Sequence, residues 1–101
     1  MKKGDIIKSK IKNVRFHKEE RKASGQLYGN YNSEYIAFLD ESPEGIVCVD
    51  SIAQQLHPDW DKKTEKRAQT LTNELHGSSV EVCIVDVFPQ GEFEAELIGS
   101  M

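Results

Sequence analysis

Residues 34–56 read Glu-Tyr-Ile-Ala-Phe-Leu-Asp-Glu-Ser-Pro-Glu-Gly-Ile-Val-Cys-Val-Asp-Ser-Ile-Ala-Gln-Gln-Leu, the most apolar and best punctuated stretch of the chain. Tyr35 to Leu39 and Ile46 to Val49 are runs of β-formers. Between them, Pro43 pre-sets φ for a turn and Gly45 can adopt positive φ at no steric cost. Two such runs joined by a short glycine-containing loop predict a β-hairpin. Ser51 followed by Gln54 has the spacing of a capping box, so a helix is expected to start there. Ile52, Ala53 and Leu56 would share its face, and Pro58 would limit it.

Outward from this hairpin, Asp5 to His17 reads as extended. Ile7 and Ile11 share one parity with Lys8, Lys10 and Lys12 opposite, yet Val14 and Phe16 follow the lysine parity. A regular strand cannot change faces, because its side-chain period is two. A bulge near Lys12-Asn13 is therefore predicted. Residues 17–25 are polar enough for an exposed loop or a helical turn. Gln26-Leu27-Tyr28 suits a short strand, and Gly29 to Ser33 a turn. After the hairpin, Pro58 suits the first position of a second helix, with Asp59 and Asp61 at its positive end. Trp60, Thr64, Ala68, Leu71 and Leu75 form its apolar stripe, with Trp60 as a core anchor. Asp59 and Lys63 have the spacing of an intrahelical ion pair. Gly77 would end the helix. Ser79 to Phe88 and Phe93 to Leu97 alternate as strands around a Pro89–Glu92 turn. The order predicts an α+β, mostly β fold: a small OB-like or SH3-like bent sheet or barrel with a helical insertion.

A chain of 101 residues, 38% hydrophobic and 30% charged, implies a single soluble domain over residues 1–101. No stretch approaches the roughly 20 apolar residues of a membrane span. No apolar signal region follows Met1-Lys2-Lys3, so a cytoplasmic protein is expected. Cys48 and Cys83 read as reduced, buried strand thiols. His17, His57 and His76 have no zinc-ligand spacing, and no phosphate-binding glycine loop is present. No catalytic residue, metal ligand or cofactor site is assigned. Glu92, Glu94 and Glu96 alternate as a solvated face or a cation-binding run.

Charge is uneven. Residues 1–22 carry nine Lys/Arg against three acidic residues, a net +6, and the remainder carries four against 14, a net −10. Such asymmetry suits either a polyanionic partner for the basic segment or a lysine-protected edge strand. Arg15 and Phe16 place a cation beside an aromatic ring, and Tyr28, Tyr31 and Tyr35 follow, the ingredients of single-strand binding.

Val14-Arg15-Phe16, the Tyr31 to Ala37 segment, Gly45 to Val49 and the helix start from Ser51 to Leu56 together resemble the HIRAN family. That family is a small barrel-like domain found alone in bacteria and fused to DNA-remodelling enzymes. The resemblance covers residues 5–57 and, loosely, the strand at 79–88. It implies capture of a single-stranded DNA 3′ end, with Arg15 on phosphate, Phe16 and Tyr31 stacked on bases, and Asn32 at the terminal hydroxyl. Here Asn32 stands where the family has Asp, and Asn13 where it has Gly. Lys8, Lys10 and Lys12 would add phosphate contacts. The function expected on these grounds is a non-enzymatic nucleic-acid-binding module for single-stranded DNA or DNA ends. The alternative is a protein-interaction or regulatory domain, a homodimer joined at a strand edge among its forms.

Overall fold

The computed structural model describes residues 2–21, 30–57, 59 and 63–99, with residues 18–21, 30–33 and 99 described by their backbone alone. The elements run β1 (Ile6–Arg21), β2 (Asn30–Leu39), β3 (Gly45–Cys48), α1 (Asp50–Leu56), α2 (Glu65–Leu75), β4 (Ser79–Val87) and β5 (Phe93–Gly99). The strands close into a barrel in the order β1-β2-β3-β5-β4. Every pair is antiparallel except β3 with β5. The two helices occupy the connection from β3 to β4. This is the expected small barrel with a helical insertion, in an OB-type Greek-key order.

The hairpin forms as its sequence predicts, with Ile36 opposite Cys48 and Phe38 opposite Ile46. Alternate residues Tyr35, Ala37, Leu39, Val47 and Val49 turn into the core, where they meet Ile11, Val14, Val80, Val82, Ile84, Phe93 and Ala95. The predicted bulge is present: the β1–β2 register shifts between Ile11 and Asn13, so both Ile11 and Val14 face inward. The bulge also lets β1 change partners. Ile6 to Lys10 pair with β4, and Ile11 onward pairs with β2.

That change of partner leaves one edge of β1 open, and α2 closes it with side chains. His76 Nδ1 donates to the Lys12 carbonyl at 2.7 Å. The Val14 N–H donates to Thr72 Oγ1 at 2.8 Å. The Phe16 N–H donates to Glu65 Oε2 at 3.3 Å. Glu65, Thr72 and the C-cap residue His76, on one side of the helix, thus satisfy backbone groups that a missing strand would otherwise have taken. Ala68, Leu71 and Leu75 bury the apolar face of the same helix. Gly77, at φ +83°, ends it and donates its N–H to the Ile11 carbonyl.

Several expectations are corrected. Gly45 is not a positive-φ turn residue but the first residue of β3, and the Phe93 ring lies where a Cβ would stand. The Ser51–Gln54 capping box does not form, because α1 begins at Asp50, two residues before the start that Ser51 as N-cap would set. Val49 is its N-cap without a side-chain hydrogen bond, and Asp50 accepts from the Tyr35 N–H and from Lys63 instead. Leu56 is exposed. The second helix starts at Glu65, where the Thr64 hydroxyl accepts the Arg67 N–H. Asp59 and Lys63 therefore lie outside it, and Asp59 forks onto Arg67. Residues 17–21 and 30–33 continue β1 and β2 as a paired ribbon rather than forming loops. Both thiols are half-buried rather than fully buried. The strand expected at residues 26–28, the core position of Trp60 and the place of Pro58 lie outside the described residues.

Candidate nucleic-acid interface

The barrel wall determines which side chains face solvent. With Ser9, Ile11 and Val14 turned inward, Lys8, Lys10, Lys12 and Arg15 lie exposed along β1, a line of cations on one strand. Lys8 stands opposite Glu81 and Lys10 opposite Ser79 on β4. Lys12, in the bulge, reaches across the sheet to Glu44 with Nζ to Oε2 at 2.7 Å. The hydrogen bond and charge of Glu44 hold Lys12 above the ordinary lysine range. Arg15 donates from Nε to Glu65 Oε1 at 2.9 Å, with both side chains well exposed.

Phe16 occupies the opposite parity from Arg15. Its ring is half-buried against the core, edge-on to Tyr35 with centroids 6.4 Å apart and planes at 61°. Tyr31 pairs with Glu20 and Asn32 with Glu19 in the ribbon, and their side chains lie outside the described residues. Four register steps separate Tyr31 from Tyr35, the partner of Phe16, or about 13 Å at strand rise. The strands therefore bring Lys8, Lys10, Lys12 and Arg15 into one line, while Phe16 and Tyr31 are held far apart along the ribbon.

Beside this line the outer face of β2 and β3 is apolar. Asn13, Phe38, Ile46 and Glu94 form one cross-strand row, and Arg15, Ile36 and Cys48 form the next. Phe38 and Ile46 join Phe88, Phe93, Glu44 and Glu92 around a cleft of about 170 Å³. Sequence reasoning missed this cleft. The available signal was that Tyr35 to Leu39 is apolar at both parities, which marks a strand covered on its second face as well as its first. Phe88, beside the Pro89 turn, gave none.

A smaller cavity of about 50 Å³ lies between α1, α2 and Tyr35. Its polar groups are largely engaged: His57 with Glu74 at 2.8 Å and Arg67 with Asp59. The buried Tyr35 hydroxyl lies near the Thr64 backbone without completing a hydrogen bond among the described residues. Burial raises the pKa of Tyr35, so it stays protonated. Burial is also the main cause that pushes the Cys48 thiol up to about 12, leaving it protonated at neutral pH and a poor nucleophile. Among the described residues no three His, Cys, Asp or Glu side chains form a group able to hold a metal, and no helix is long and apolar enough to cross a membrane.

Comparison with protein-family models, curated proteins and solved structures finds no match to this chain.

Proposed function

We propose that the chain is a non-enzymatic, cytoplasmic nucleic-acid-binding module that takes single-stranded DNA, with preference for a free 3′ end. The observation that carries this reading is the line of Lys8, Lys10, Lys12 and Arg15 on one strand of an OB-type barrel, flanked by the apolar outer face of β2 and β3. Phosphates would follow β1 while bases lie over Ile36 and Phe38, the division of labour expected of single-strand grooves. The 3′-end preference rests on the HIRAN resemblance, with Tyr31 and Asn32 in the ribbon as its agents. The test is fluorescence anisotropy with a short labelled single strand bearing a 3′-hydroxyl or a 3′-phosphate across a salt series. Micromolar binding that weakens with salt and prefers the hydroxyl supports the proposal. Absence of binding at low salt overturns it, and salt-sensitive binding indifferent to the end removes its 3′-end part.

A specific observation favours a second reading, a protein-interaction domain. Lys12 and Arg15 are each paired with a carboxylate of their own chain, and Phe16 packs against the core. Both features suit a fold kept for a protein partner or for a second copy of the chain. Sedimentation as a monomer across micromolar concentrations would remove the homodimer form.

A further inference from the structure

The outer face of the barrel changes character from β1 to β5. Along the row Asn13–Phe38–Ile46–Glu94, three strand spacings separate β1 from β5, about 14 Å. The β1 side is cationic. The β5 side is acidic: Glu94 stands next to Ile46 on one side and Asp86 on the other. Glu92 is exposed on the β4–β5 turn, and Glu44 closes the β2–β3 turn. Between these carboxylates lies the cleft of about 170 Å³, with Phe38 and Ile46 on its floor and Phe88, 39% exposed, on its wall.

We propose that this cleft docks a basic, extended peptide segment, holding an arginine or lysine side chain against Phe88 and Phe38 with its charge toward Glu92 and Glu44. Charge complementarity selects the occupant. Carboxylates on the rim repel phosphates and acidic segments, and aromatic faces attract a cation through the ring quadrupole. A purely apolar segment would bring no charge to complement Glu92. The protein itself shows how an ammonium is received there, since Lys12 Nζ sits 2.7 Å from Glu44 at the same rim. The described residues hold no metal-ligating group, so a peptide cation rather than a metal ion fits the acids. The cleft accommodates one or two side chains, which implies a weak, transient contact. This proposal meets the nucleic-acid reading at Phe38, which both use, and otherwise differs from it, because the cations lie on β1 while the acids that line the cleft lie toward β5.

The test is titration of the whole chain with three short fluorescein-labelled peptides of alternating Ser with Arg, Lys or Asp, together with amide chemical-shift mapping. The Arg peptide is expected to bind with a dissociation constant on the order of 100 μM and to weaken with salt. The shifts are expected to centre on Phe38, Ile46 and Phe88. Phe88→Ala and Glu92→Gln are each expected to weaken binding about threefold or more. Glu81→Gln, an exposed acid on β4, serves as the control for diffuse charge and is expected to leave the affinity unchanged. No binding at millimolar peptide overturns the proposal. So does equal weakening by all three variants, or a single-stranded oligonucleotide that shifts the same cleft residues while the Arg peptide does not.

Discussion

Gly45 illustrates how a residue can be placed correctly for the wrong reason. In sequence it looks like the flexible end of a turn. In the fold it begins β3, and a Cβ there would stand 2.1 Å from Phe93 Cζ. Phe93 is buried and cannot withdraw without opening the junction of β3 and β5, where it pairs with Gly45. Gly45→Ala is therefore expected to destabilise the protein by roughly 1–3 kcal/mol, the usual cost of overpacking, measured as a drop in urea midpoint. An unchanged midpoint would show that the ring is free to move. Cys48 gives a second residue-scale prediction. With its pKa pushed up to about 12 from 9.0, its thiolate fraction at neutral pH is about a thousandfold lower than that of an unperturbed thiol. Native-state alkylation, followed by mass spectrometry, should leave Cys48 largely unmodified until urea unfolds the chain. The linked pH effect has a definite sign. The folded thiol keeps its proton where the unfolded one loses it, so the contribution is intact below about pH 9 and is lost as pH rises toward 12. Tyr35, also raised by burial, acts in the same direction. Cys48→Ala should flatten the fall of the urea midpoint above about pH 9.

At the scale of elements, α2 acts as a replacement strand, and Thr72 is central to that role. Its hydroxyl accepts the Val14 N–H at 2.8 Å and lies 3.0 Å from both the Val14 and Ala68 carbonyls, donating its proton to one of them. Thr72→Val keeps the shape and removes the hydroxyl. A partly buried N–H then loses its partner, at a cost of about 1–3 kcal/mol. Hydrogen exchange at the Val14 amide should accelerate by more than that of Leu71 in the same helix. Equal acceleration would mean that the helix loosens as a whole and that the seam is not the weak point. The same elements show what the sequence made legible. The bulge at Lys12-Asn13 was readable because the parity of Ile7, Ile11, Val14 and Phe16 cannot be met by a regular strand. The start of α2 was not, because Pro58, Asp59 and Asp61 form a credible helix start seven residues before Glu65, where the helix begins after its Thr64 cap. The ribbon of residues 17–21 and 30–34 was also invisible, since two strands paired only with each other have no obligatory apolar face to impose alternation. Of the candidate site, the basic line on β1 was legible from composition. The cleft was not, because it joins two turns far apart in sequence, at Glu44 and at Phe88–Glu92.

At the scale of the molecule, the separation of charge along the sequence becomes a separation in space, and α2 sits beside the cationic side. Glu65 from that helix holds Arg15 by its Nε at 2.9 Å. In the proposed interface, a phosphate on β1 must compete with Glu65 for the same guanidinium. Removing the carboxylate charge should therefore release Arg15 and lower the local negative potential together. Glu65→Gln retains an oxygen that can accept the Phe16 N–H, so the seam is preserved. The expected result is a two- to fivefold gain in single-strand affinity at low salt, roughly the scale of one exposed ion pair. The slope of log K against log salt should steepen by about 0.7, the increment for one more neutralised phosphate on a single strand. Arg15→Ala in the Glu65→Gln background should abolish both changes. If Glu65→Gln binds no better, or if Arg15→Ala leaves the gain in place, Arg15 is not the phosphate contact. The cations of β1 would then serve the solubility of an exposed strand rather than recognition. Because the two outcomes differ in salt slope as well as affinity, the experiment separates a specific contact from a general gain in positive charge.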